Sequence, residues 1–131
     1  MSKGSSTRPT AHGLKVFVPT KDLDASLAFY TALGWEQNWR VDGLAEIELA
    51  ESKLYLQSFY NKSWAENFMI YVDVEDAQAW YDHATSVIAT GQHPGAKALT
   101  PKKQDYGSIV TFVYDPIGVL IHFAQAEQAK N

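Results

Sequence analysis

The side chains in this sequence best suited to chemistry are aromatic. Four Trp, seven Tyr and six Phe make up 13% of the 131 residues. Such rings fill cores, but they also line ligand clefts and stack on planar guests. Trp39 and Trp64 are the candidates for stacking, whereas Phe29, Phe68, Trp80 and Phe123 read as core. Other reactive groups are sparse. The absence of cysteine excludes disulfides, thiolate metal sites, iron–sulfur clusters and a cysteine nucleophile. His12, His83, His93 and His122 fall on a leader, a helix, a turn and a strand, and form no ligand spacing. No Ser–His–Asp set, phosphate loop or paired-carboxylate motif is arguable. Glu46 and Glu48 share one face of an edge-like strand, the pattern of a solvated face.

The elements that must position these groups follow from periodicity and punctuation. Residues 1–13 are polar and Gly/Ser-rich and read as a flexible leader. Leu14–Val18 is β-prone and ends at Pro19. Asp22 or Asp24 can cap a helix whose apolar face is Leu23, Leu27 and Tyr30 and which stops at Gly34. Three strands are expected at Trp35–Val41, Leu44–Leu49 and Lys53–Phe59, the first two joined by an Asp42-Gly43 hairpin turn. Trp35 and Trp39 then share a strand face. Residues 60–66 read as a loop. The order then repeats: a strand at Asn67–Val72, a helix from about Glu75 to Ala89, a weak strand at Ala98–Gln104 broken by Pro101, and strands at Ser108–Tyr114 and Val119–Ala124. Phe29-Tyr30 and Trp80-Tyr81 tag the two helices alike. Two βαβββ modules, about 14–60 and 66–125, are therefore expected to share one core within a single α+β domain spanning 14–125, with a tail at 126–131.

Two stretches carry a family resemblance. Asp22-Leu23-Asp24-Ala25-Ser26-Leu27-Ala28-Phe29-Tyr30 with Leu33-Gly34-Trp35 resembles the first helix of the vicinal-oxygen-chelate superfamily, and Asp115-Pro116-Ile117-Gly118-Val119-Leu120-Ile121-His122-Phe123 resembles its last hairpin. That group includes glyoxalase I, extradiol dioxygenases and bleomycin-resistance proteins. The resemblance implies a curved, cup-shaped mixed sheet with helices on its outer face. It also implies four metal-ligand positions, which fall here at Lys15, Gln57, Asn67 (or Met69) and His122. Only His122 is a good ligand for a divalent ion, since an ammonium has no lone pair and catalytic sites need about three protein ligands. No cofactor is therefore expected. The metal-free bleomycin-resistance branch is the nearest likeness, and it implies a homodimer.

Strand parity describes the cup independently. If Lys15 faces it, so does Phe17; if Gln57 does, so do Tyr55 and Phe59; Met69 and Tyr71 follow Asn67, and Leu120 and Ala124 follow His122. The opposite sets are almost purely aliphatic or Phe. The expected ligand-binding residues are Lys15, Phe17, Trp39, Tyr55, Gln57, Phe59, Trp64, Asn67, Tyr71, Tyr106 and His122, with Tyr106 on a loop over the cleft. Each has a plainer reading: His122 as a hydrogen-bonded strand His, Lys15 as a snorkelling surface cation, and the rings as dimer filler. The formal net charge of −4 argues against a nucleic-acid partner and favours a cationic guest, whereas Lys15 and His122 oppose one deep in the cup. No apolar run approaches the ~20 residues of a membrane span, so a cytoplasmic protein without membrane contact is expected. The function implied is metal-free binding of a small aromatic or drug-like molecule, the alternative being a metal-dependent glyoxalase-type lyase or dioxygenase.

Overall fold

The computed structural model describes residues 8–127, so the expected leader over 1–7 and tail over 128–131 lie outside the described residues. The element order is β1 (Val16–Thr20), α1 (Leu23–Leu33), β2 (Glu36–Val41), β3 (Leu44–Leu49), β4 (Ser52–Ser58), α2 (Lys62–Asn67), β5 (Met69–Val74), α3 (Ala77–Ala89), β6 (Lys97–Ala98), β7 (Lys102–Lys103), β8 (Ile109–Tyr114) and β9 (Leu120–Gln125). The first module forms a sheet ordered β1-β4-β3-β2, and the second a sheet ordered β5-β9-β8-β6 with β7 also on β8. In each, the first and last strands run parallel and the rest are antiparallel. The α+β class and the doubled βαβββ order agree with the sequence reading.

Local chemistry explains each boundary. Asp22 and Asp76 cap α1 and α3 by accepting from Ala25 N and Ala79 N. These caps mark the repeat better than the aromatic–Tyr pairs: aligned on them, Tyr30 lies opposite Ala84 rather than Tyr81. Gly43, at φ 78°, makes the Val41–Leu44 hairpin turn. Pro19 lies inside β1 rather than ending it, paired with Gln57, which an edge strand tolerates because one N–H is not needed. The expected loop at 60–66 contains α2, capped by Asn61 through Trp64 N. The expected strand at 98–104 is split by Pro101 into β6 and β7.

Both modules contribute to one core. Trp35 is 4% exposed and packs edge-on against Tyr30 and Phe123, while Trp80 stacks on Phe123 at 4.5 Å. His83 Nε2 lies 3.1 Å from Leu33 O, tying α3 to the end of α1. A fully buried polar link joins the modules directly: Tyr30 Oη donates to Asp115 Oδ2 at 2.8 Å. Asp115 Oδ1 accepts from Ile117 N and Val119 N, which shapes the β8–β9 turn. Burial raises the Asp115 carboxyl above its ordinary 3.8, against the lowering effect of these hydrogen bonds. Burial, with the Asp115 charge beside it, raises the Tyr30 hydroxyl well above 10.0. No helix of the described residues is long and apolar enough to cross a membrane. Tyr30→Phe keeps the ring but strips a donor from a buried carboxylate, so urea unfolding should show a stability loss of about 1–3 kcal/mol; an unchanged midpoint would contradict the link's importance.

Candidate functional site

On the sheet face away from the helices, the first module aligns a row of side chains across all four strands. Phe17 pairs with Tyr55, Tyr55 with Glu46, and Glu46 with Trp39. Phe17 and Tyr55 meet edge to face at 5.1 Å. Tyr55 and Trp39 stand two strands apart, roughly 9–10 Å at the backbone, yet their ring centroids are 5.5 Å apart. The two rings therefore lean together over Glu46, which is only 7% exposed although it lies on the outer face.

A β-bulge builds this arrangement. The β2–β3 register shifts between Gln37 and Trp39, so Asn38 is an extra residue. Gln37 sits opposite core residue Ile47, whereas Trp39 sits opposite Glu46. Trp35 and Trp39 thus lie on opposite faces, contrary to the expectation that they share one, because the bulge reverses the alternation. Asn38 Nδ2 donates to Glu46 Oε2 at 2.7 Å and to Glu48 Oε1 at 3.0 Å, bridging the two carboxylates. Glu46 is not on a solvated edge: β3 is interior to its sheet. Lys15, just ahead of β1, brings Nζ to 4.0 Å from Glu46 Oε1 and 6.0 Å from the Tyr55 ring centre.

The second module carries a shorter row on its equivalent strands. Tyr71 pairs with His122 and His122 with Phe112, at ring separations of 5.6 and 4.9 Å. His122 Nε2 faces Met69 Sδ at 3.4 Å, and its buried Nδ1 has no hydrogen-bond partner. Burial lowers the imidazole below its ordinary 6.5, so the ring is neutral near pH 7.

The remaining expected residues scatter. Gln57 is half-buried on the Tyr55 face of β4, opposite Leu44. Phe59 follows β4 and packs on Trp64 at 5.8 Å, and Trp64 packs in turn on Phe68. Asn67 is not on a strand: it closes α2, with Nδ2 donating to Ser63 O, and the strand-face position it was expected to hold belongs to Met69. Tyr106 lies exposed on the turn between β7 and β8. Among the described residues no ring contact, hydrogen bond or ion pair joins the two rows. A cleft of about 350 Å³ runs between the β3–β4 turn and β5, walled by Trp35, Leu49, Leu54, Ile70 and Val72, but of the expected site residues it holds only Tyr71. Sequence reading missed Glu46, Asn38 and Phe112. Glu46 had a signal, since hairpin turns on both sides of β3 made it an interior strand.

Paired βαβββ modules with helices on one face and aromatic rows on the other define a two-module α+β fold. The model of the Glyoxalase/Bleomycin resistance protein/Dioxygenase superfamily matches residues 13–123, and the chain belongs to that superfamily. No curated protein matches it. Among solved structures it is similar to a bleomycin resistance determinant encoded on transposon Tn5, at 21% identity and TM-score 0.72 over 90% of this chain and 100% of that one. It is also similar to the bleomycin-binding protein of Streptomyces verticillus complexed with copper(II)-bleomycin (19%, 0.73, 92% and 100%). A lactoylglutathione lyase from Agrobacterium tumefaciens shares the fold at 17% identity and TM-score 0.62, over 89% and 95%.

The metal that this superfamily often holds does not fit the four positions here. Lys15 presents an ammonium facing Glu46, Gln57 a neutral amide, Asn67 an amide engaged with Ser63, and Met69 a thioether beside the single imidazole of His122. Hard divalent ions are poorly served by that set. Among the described residues no three His, Asp or Glu side chains converge. For His122, the unfolded chain binds a proton more tightly than the folded one, so its contribution leaves stability level above pH 6.5 and lowers it as pH falls below that value. An NMR titration of the ring protons should give a midpoint below 6.5; one at or above it would contradict the desolvation.

Proposed function

We propose that this chain binds a small planar or drug-like molecule on its aromatic sheet faces, without a metal of its own, and that it works as a homodimer. The observation that carries this reading is the Phe17–Tyr55–Glu46–Trp39 row: three large rings on an outward face, two of them closed over a carboxylate. Burial of apolar groups saves free energy only when they leave water, yet Phe17, Phe59, Met69 and Tyr71 stay between 42% and 62% exposed. Such a concentration of exposed apolar surface marks a contact face. The likeness of the fold to bleomycin-binding proteins supports a drug-sized guest. Gln57 beside Tyr55 and His122 within the second row supply polar groups, and Trp64 with Phe59 forms a second stacking surface.

Titration with metal-free bleomycin, followed by tryptophan fluorescence and by light scattering, tests both parts. We expect saturable quenching that Trp39→Ala weakens at least tenfold, and a mass twice the 14.6 kDa of the chain. Flat titrations with bleomycin and related aromatic compounds would overturn the binding reading, and a mass of one chain would overturn the dimer.

A further inference from the structure

Glu46 is an odd residue to find beneath two aromatic rings. Removing a carboxylate from water is costly unless its oxygens are hydrogen-bonded or paired. One oxygen, Oε2, is served by Asn38 at 2.7 Å. Among the described residues no hydrogen bond reaches the other, Oε1, which pairs instead with the Lys15 ammonium at 4.0 Å, the long end of an ion pair. That ammonium is equally distant from an ideal ring contact, 6.0 Å from the centre of Tyr55, and its side chain is 36% exposed. Lys15 thus neutralises the carboxylate loosely, at the outer limit of both the ion pair and the ring contact. The chain flanking it is open on one side, since β1 is an edge strand and Leu14 is exposed.

From this geometry we propose that Glu46 Oε1, with the Tyr55 and Trp39 rings, is a recognition site for the ammonium or amidinium group of an aromatic guest. Lys15 is a tethered counter-ion that the guest displaces. The inference rests on the binding reading above and adds the charge of the ligand and the residue that discriminates on it. A planar cation suits the site on both counts: its N–H groups reach the free carboxylate oxygen in a charge-assisted hydrogen bond, and its face or edge lies against rings whose π faces attract positive charge. A neutral isostere would leave Lys15 in place and gain only the stacking. The displaced lysine keeps an uncomplexed carboxylate compensated, and it sets a threshold, because a guest must hold Glu46 better than a loosely paired ammonium does.

Other charged groups near the site are Glu48, held by the same Asn38, Lys53, opposite Glu48 on the Tyr55 face of β4, and Arg40, which turns away to pair with Asp24 at 2.7 Å. The ion pair given for Glu46 Oε1 is the one with Lys15.

Calorimetric titration with 2-naphthamidine and with 2-naphthamide, a cation and its neutral near-isostere, tests the proposal, with metal-free bleomycin as the control for the site. The amidine should bind at least tenfold more tightly than the amide. Glu46→Gln should abolish that preference while leaving amide affinity within twofold. Lys15→Met should strengthen amidine binding several-fold without affecting the amide, and it carries the test if Glu46→Gln does not fold by circular dichroism. Equal affinities in the unmodified protein, a preference that survives Glu46→Gln, or weaker amidine binding in Lys15→Met would overturn the proposal. So would failure of both naphthyl probes in a chain that still saturates with bleomycin. Failure of all three ligands would instead overturn the binding reading beneath it.

Discussion

The Tyr30–Asp115 hydrogen bond holds the two modules in one structure. It spans 85 positions of sequence, lies wholly inside the protein, and ends on a carboxylate that also fixes the β8–β9 turn through two backbone amides. A buried carboxylate left with fewer donors is a large penalty, whereas a fully satisfied one specifies a single arrangement. That arrangement brings α1 against α3 and lets Trp35, Phe123 and Trp80 interlock across the module boundary. With one face of each sheet committed to this core, alternation sends every second side chain to the other face. The aromatic rows are the consequence.

The two rows are related but no longer equivalent. By strand order Phe17 corresponds to Tyr71, Tyr55 to His122 and Glu46 to Phe112. One row encloses a carboxylate and the other a neutral imidazole with an orphaned nitrogen. The charge conflict posed by an acidic chain with basic cup residues resolves locally. Lys15 is spent against Glu46 and His122 is uncharged near neutral pH, so the outer face does not present the positive field that those residue types suggested.

Much of this was legible beforehand. Caps, hairpin glycines and period-two alternation place the helices and most strands, and parity alone assigns Phe17, Tyr55, Tyr71 and His122 to the outer face. The failures have specific physical origins. A bulge inserts one residue without any composition signal, and it moved Trp39 to the face opposite Trp35. Asn67 looked like the start of a strand because a short helix, α2, borrows its cap from Asn61 inside a polar stretch that reads as loop. Alternating charge normally means a solvated face; at Glu46 two rings from non-adjacent strands cover the side chain instead. Tertiary contacts of that kind are invisible to local pattern.

The central claim is that ligand binding uses the outer aromatic face and leaves the inter-module core untouched. The tryptophan indole N–H resonances report on both places at once, since Trp39 lies on the outer face and Trp35 and Trp80 belong to the core. In a ¹⁵N–¹H spectrum recorded with metal-free bleomycin, the Trp39 resonance is predicted to shift on saturation while those of Trp35 and Trp80 stay in place. Shifts confined to Trp35 and Trp80, with Trp39 unmoved, would contradict the account.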